Sequence, residues 1–160
     1  MIDLEFLQRF MKEINVFLLS MLPISELRGS IPLGLLHYKL GVFETFLLSY
    51  IGNLIPVIPV MFFLEKFSEF LSSNFYIFKK FFDWLFARTR RRTKVVEKYG
   101  PVGLMLFVAI PLPYTGAWTG AVCAFLFGIK KRIAFFYISL GVFIAGIIVT
   151  LLSLGIIKFV

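Results

Sequence analysis

The chain is poor in reactive and charged side chains. It has one cysteine and one histidine in 160 residues, and 16% of its positions are Asp, Glu, Lys or Arg, against about 25% in ordinary soluble proteins. A single cysteine, Cys123, excludes an internal disulfide and a multi-cysteine metal site, and is read as a small packing residue. A single histidine supplies no nucleophile, base and orienter set. There is also no phosphate-binding loop and no metal-ligand spacing, so neither an enzyme nor a metal or other cofactor is expected. No flexible Ser/Gly-rich linker separates the apolar segments, which predicts one domain. The N-terminus carries Asp3 and Glu5 where a leader would be basic, and no small-residue cleavage site follows, so an uncleaved chain is expected.

What is present is apolar. Hydrophobic residues make up 59% of the chain, including 21 phenylalanines, and the mean hydropathy is +0.91. This composition predicts an all-α integral membrane protein. Two stretches satisfy the length of roughly 20 residues needed to cross a hydrocarbon core. Val42 to Leu64 carries only Glu44 as a charge, and its Pro56 and Pro59 predict a kink or break. Ile133 to Ile157 carries no charge.

Two further apolar stretches are interrupted at their midpoints. Pro23, Gly29 and Pro32 break one; Pro111, Pro113, Gly116 and Gly120 break the other. Each arm, Ile14 to Leu22 and Val102 to Ile110, is about nine residues, or roughly 14 Å of helix, half a bilayer. Such a stretch is either one kinked span or a re-entrant hairpin. The flanks discriminate: RTRRRTKVVEK precedes Gly100, and Lys130, Lys131 and Arg132 follow Ile129. Keeping both basic clusters in the cytoplasm requires a hairpin. The first hairpin, with nearly neutral flanks, then enters from the outer face.

The predicted architecture is therefore an inverted repeat. Hairpin 14–38 and span 42–64 form one half, hairpin 100–129 and span 133–157 the other, and a basic connector over 65–99 joins them. Pro23 aligns with Pro111, Gly29 with Gly116, Gly41 with Gly128 and Gly52 with Gly141 at nearly constant offset, as a duplication would leave them. Inverted repeats with broken helices recur in secondary transporters.

The first tip, PISELRGSIP, places Glu26 and Arg28 in an oily setting. A charge at the bilayer centre costs about 2.5–3.5 kcal/mol on insertion scales, so both should face a polar cavity or a partner. One option is that they pair and only hold the tip. Residues two apart on a helix do not face each other, so direct pairing calls for an unwound tip, which Gly29 permits. Buried ion pairs seldom add net stability over apolar packing, which favours a functional role. Desolvation favours a neutral carboxyl, making Glu26 the proton-coupling candidate. Arg28 stays charged, to attract an anion or clamp Glu26, and Ser30 is a neighbouring substrate-binding candidate. The second tip, PLPYTGAWTG, offers the hydroxyls of Tyr114, Thr115 and Thr119 and the indole of Trp118. The Gly116 to Gly120 spacing allows close backbone approach. Two such tips facing each other would suit a small amphipathic solute.

Within the connector, Phe78, Phe81, Phe82 and Leu85 fall on one helical face, which predicts an amphipathic interfacial helix. Lys79, Lys80, Arg88, Arg90, Arg91, Arg92 and Lys94 outnumber Asp83 and Glu97. Anionic lipid headgroups account for such a cluster, and nucleic acid is not expected as a partner. His37, beside Tyr38 and Lys39 at the outer end of a hairpin arm, reads first as an interfacial residue.

SELRGSIPLG, followed by PLPYTGAWTGA in the second half, resembles the small multidrug export protein family, which is distantly similar to the DedA superfamily. The resemblance extends from about Ile14 to Ile157. It implies a multi-pass protein of a bacterial or archaeal cytoplasmic membrane, with two opposed re-entrant hairpins and proton-linked transport. In DedA-like proteins an acid in the first hairpin is important, and Glu26 occupies its position. Those proteins also carry arginines in the second hairpin. PLPYTGAWTG has none, a departure that leaves the lipid-phosphate carriage of some relatives without its arginines here. Two functions are left standing. One is a proton-coupled transporter of an amphipathic or anionic lipophilic solute; the other is a non-transporting membrane scaffold or lipid-organising protein. So small a bundle is expected to form a homodimer or a larger assembly.

Overall fold

The computed structural model describes residues 4–74, 80, 94–112 and 115–159, and among these the regular structure is helical. The elements are α1 (Leu4–Met21), α2 (Glu26–Pro32), α3 (Val42–Leu54), α4 (Val57–Asn74), α5 (Lys94–Ala109), α6 (Ala117–Leu126) and α7 (Lys131–Phe159). Most of the predicted connector, including Phe78, Lys79, Phe81, Phe82, Leu85, Arg88, Arg90, Arg91 and Arg92, lies outside the described residues, as do Pro113 and Tyr114. Lys80 and Lys94 are described, and both are exposed.

The pattern of burial is that of a protein dissolved in lipid. Val16, Ile31, Leu104 and Ile138 are fully buried, while Phe43 is 75% exposed and Leu151 64% exposed. Outward-facing apolar side chains of this size on apolar helices are unfavourable in water and matched to hydrocarbon. Two stretches, Val42–Phe67 and Lys131–Gly155, are long and apolar enough to cross a membrane. The chain is a helical membrane protein.

The first span is built in two pieces. Pro56 has no N–H to donate, so the ladder is interrupted between α3 and α4, whereas Pro59 sits in the first turn of α4, where a missing donor costs nothing. The second span, α7, has no proline and runs unbroken. The spans pack antiparallel. Phe46 of α3 meets Phe143 of α7 edge-on at 5.5 Å between centroids, the Tyr50 and Ser139 hydroxyls are 2.6 Å apart, and at the far end Glu65 of α4 pairs with Lys131 of α7. Tyr50→Phe should therefore lower stability by about 1 kcal/mol, the worth of one hydrogen bond, read as a lower unfolding midpoint in detergent.

Both broken stretches are helical hairpins. In the first, α1 descends to a turn over 22–25 and α2 returns. Pro32 interrupts the ladder, and the chain continues as a π-helical turn, Leu33–His37, in which the Tyr38 N–H reaches the Leu33 carbonyl at 3.0 Å. Asn15 of α1 donates to the Tyr38 hydroxyl at 3.3 Å, closing the base of the hairpin. His37 is exposed at this end and its ring tilts against Tyr38. Arg9 of α1 bridges Glu13 and Glu44, each at 3.1 Å, and the two carboxylates, Glu44 foremost, raise the pKa of its guanidinium.

The first arm is longer than the predicted Ile14 to Leu22, because nothing between Leu4 and Met21 stops a helix. The second arm is as short as predicted. Gly100, with φ 56° and ψ −131°, kinks α5 just before Pro101, so the straight piece after it is 101–109. Helices α1 and α2 lie on α3, and α5 and α6 lie on α7. Each hairpin also reaches across, α2 onto α7 and α6 onto α4.

Candidate functional site

The two tips meet each other between the spans. The turn of the first leaves carbonyls at the C-terminus of α1 without helical partners. The Ser25 hydroxyl donates to Leu19 at 2.5 Å, and the indole N–H of Trp118, from the second hairpin, donates to Met21 at 3.0 Å. Trp118 thus fastens α6 to the end of α1.

Glu26 opens α2, is 4% exposed, and has φ 45°. This left-handed conformation is strained for a residue with a side chain, by about 1–3 kcal/mol. It swings the carboxylate toward Arg28, whose guanidinium lies 3.5 Å away. The pairing is direct, as an irregular tip allows, yet the irregularity sits at Glu26 itself and Gly29 is helical.

Both charges also engage the second hairpin. Arg28 donates to the carbonyls of Leu112 and Thr115, the latter at 2.8 Å. The Trp118 backbone N–H points at Glu26 Oε1 from 3.4 Å, placing the carboxylate over the first turn of α6, where a helix N-terminus favours negative charge. Gly116 makes this approach possible: a Cβ there would run into the carboxylate, with Oε1 only 2.7 Å from it. The acid and the base are thus each held by backbone of the other hairpin.

Two cavities adjoin the pair. One, of about 590 Å³, is lined by Pro23, Ile24, Ser25, Glu26, Arg28, Gly29 and Thr119, and reaches the surface at Ile24, which is 94% exposed. Its lining combines apolar Pro23 and Ile24 with the charged pair and the hydroxyl residues Ser25 and Thr119. The second, of about 10 Å³, lies behind the pair, bordered by Glu26, Arg28, Asn53, Thr115 and Gly116 with Val142 and Ala145. It has room for about one water molecule.

The predicted residues divide accordingly. Glu26, Arg28 and Thr119 line the larger cavity together with Pro23 and Gly29. The Thr115 hydroxyl is engaged in its own turn, donating toward the Ile110 carbonyl at 2.6 Å and accepting from the Leu112 N–H at 3.1 Å. Pro111 borders the small cavity. Gly120 packs against Val108, and Pro32 shapes the π-helical turn, both away from the cavities. Ser30 is also elsewhere: fully buried, its hydroxyl donates to Ser49 of α3 at 2.8 Å. Among the described residues no cluster of His, Cys, Asp or Glu could hold a metal ion.

Sequence reasoning missed Asn53, which is buried beside Glu26 in the middle of a span. The signal was there: Thr45, Ser49, Gly52 and Asn53 fall at helical spacing, a polar stripe on an apolar helix.

The chain is thus a helical membrane protein whose two broken hairpins meet through an acid and a base, beside a cavity that this pair helps to line. The family model described as "putative small multi-drug export protein" matches residues 26–148, and the chain belongs to that family. No curated protein and no solved structure matches it.

Proposed function

We propose that the protein is a secondary transporter of a small amphipathic or anionic lipophilic solute, coupled to protons through Glu26, in a bacterial or archaeal cytoplasmic membrane. The observation that carries this is the joint tip site, in which Glu26 and Arg28 are each held by backbone of the opposite hairpin. Moving one hairpin against the other breaks these contacts, and anything that alters the charge of Glu26 alters their strength. Protonation of Glu26 releases Arg28 from its internal counter-ion and lets it take the anionic end of a solute lying in the larger cavity. Proton and solute then bind together.

An inverted repeat of re-entrant hairpins is part of this proposal, and paired contacts support it. Gly52 of α3 packs against the Phe17 carbonyl of α1, and its counterpart Gly141 of α7 against the Met105 carbonyl of α5, each 2.7 Å from the position of a Cβ. The tips lie beside Asn53, Val142 and Ala145, near the middle of both spans, where irregular backbone is tolerated only if it is packed in protein or lines a cavity. Lys130 and Arg132 flank Lys131, which pairs with Glu65, and the positive-inside rule assigns this end to the cytoplasm. The exposed Lys80 and Lys94 would, in this proposal, meet anionic headgroups.

The test is reconstitution into vesicles and measurement of the movement of amphipathic carboxylates and sulfonates driven by a pH gradient. Glu26→Gln is nearly isosteric and is expected to lower this flux more than tenfold without loss of folded protein. Undiminished flux in that variant would remove Glu26 from the mechanism.

A further inference from the structure

The larger cavity gives Glu26 one way out, on the side of the hairpin turn. A coupling carboxylate needs a second, toward the opposite end of the protein. Facing that end, α2 and α3 share a seam. Glu26 and Ser30 of α2 and Gly34 of the π-helical turn recur every fourth residue, and Asn53, Ser49 and Thr45 recur every fourth residue on α3, running the other way. Glu26 and Asn53 border the same small cavity, Ser30 donates to Ser49, and Gly34 lies against the Thr45 side chain. All three α3 residues of the seam are buried, Thr45 and Ser49 fully and Asn53 at 1% exposure. The side-chain oxygens Oδ1 of Asn53 and Oγ1 of Thr45 have no hydrogen-bond partner in the protein.

Unpartnered buried oxygens are rare, because each costs about 1–3 kcal/mol, and the usual partner is an internal water. Four residues of helix rise about 6 Å, the span of two hydrogen bonds through one water. One water between Glu26 and the Ser30–Ser49 pair, at Asn53, and one between that pair and Thr45 would join the rungs into a line. Hydroxyls and waters both donate and accept, so such a line passes protons while excluding larger ions. It ends under the π-helical turn, beside exposed His37 and Lys39.

Taking Glu26 as the proton site described above, we propose that the α2–α3 seam of Asn53, Ser30, Ser49 and Thr45 is a water-completed proton relay linking Glu26 to the His37 end of the protein. Only Arg28 among the charged described residues contacts Glu26. α3 presents Asn53 to it, α5 and α7 present apolar side chains, and α6 presents the N–H of Trp118. At the far end lie His37, Lys39, Lys12 and the Arg9, Glu13 and Glu44 cluster. The relay therefore crosses no other titratable side chain.

The test follows protonation of Glu26 by difference infrared spectroscopy, using the carboxyl band that Glu26→Gln lacks. Vesicles holding the protein in both orientations receive an external pH step in an impermeant buffer, and the band is read before protons leak through the lipid. In the unaltered protein the whole band responds, through the cavity in one orientation and through the seam in the other. In Ser30→Ala combined with Ser49→Ala, which removes both partners of one hydrogen bond and so perturbs folding little, only half the band is expected to respond promptly. Asn53→Leu, of similar volume, is expected to do the same. A full prompt response in folded seam variants, or a half response in the unaltered protein, overturns the relay and leaves Glu26 as the proton site. Absence of any Glu26-dependent band overturns the proton-coupling role itself.

Discussion

Arg28→Ala should be among the most destabilising single changes in the described part of the protein, lowering stability by about 3 kcal/mol, the low end for breaking a buried pair. Three losses coincide. Glu26, 4% exposed, is left without its counter-ion, the Thr115 carbonyl loses its donor, and the Leu112 carbonyl keeps only donors from Thr115. Arg28→Lys discriminates among them. Lysine keeps the positive charge beside Glu26, yet its ammonium cannot span two carbonyls as the planar guanidinium does. If charge compensation dominates, Lys should restore most of the stability; the geometry gives the larger share to the forked contact, so Lys should restore less than half. Thermal unfolding of the three proteins in one detergent decides this. Full rescue by lysine would show that the tips are held by charge rather than by backbone recognition.

Gly116→Ala is expected to be nearly as damaging, at about 2 kcal/mol, within the range for overpacking a filled site. The added Cβ meets the Glu26 carboxylate, which cannot withdraw because its backbone is already strained and Arg28 and Trp118 hold its oxygens. A double-mutant cycle makes this checkable. Glu26→Ala removes the obstacle, so Gly116→Ala introduced into Glu26→Ala should cost far less than it does in the unaltered protein, giving a coupling energy of about 1–2 kcal/mol. Additive effects would mean that the tips are not in contact in solution.

How much of this was legible beforehand depended on whether the information sat in a side chain. The two spans stood out because their apolar runs match the thickness of a bilayer, and the tips stood out because prolines and glycines punctuate them. The start of α1 at Leu4 was hidden, since hydropathy falls off before Ile14 while helix formation does not; only a glycine or proline would have marked an end. That Arg28 binds the carbonyls of Leu112 and Thr115 was beyond reach, because a carbonyl is common to every residue and only the fold selects which one is near. Asn53, Ser49 and Thr45 were visible and passed over, because neutral polar residues barely lower the hydropathy of a span. The unwinding of the tip was attributed to Gly29, three residues from Glu26, because glycine adopts unusual angles most cheaply.

The crossed packing of the hairpins has a consequence for biosynthesis. Arg28 and Thr115 are 87 residues apart, and Glu26 and Trp118 are 92 apart, so the first hairpin is made well before the groups that complete it have been translated. During that interval an acid and a base share a half-finished tip, α2 lacks α7 as its neighbour and α4 lacks α6. A ribosome that stalls in the connector would leave an inserted fragment with polar surface facing lipid, a ready target for membrane proteases, whereas a finished chain conceals it. Only chains completed through α7 should then accumulate.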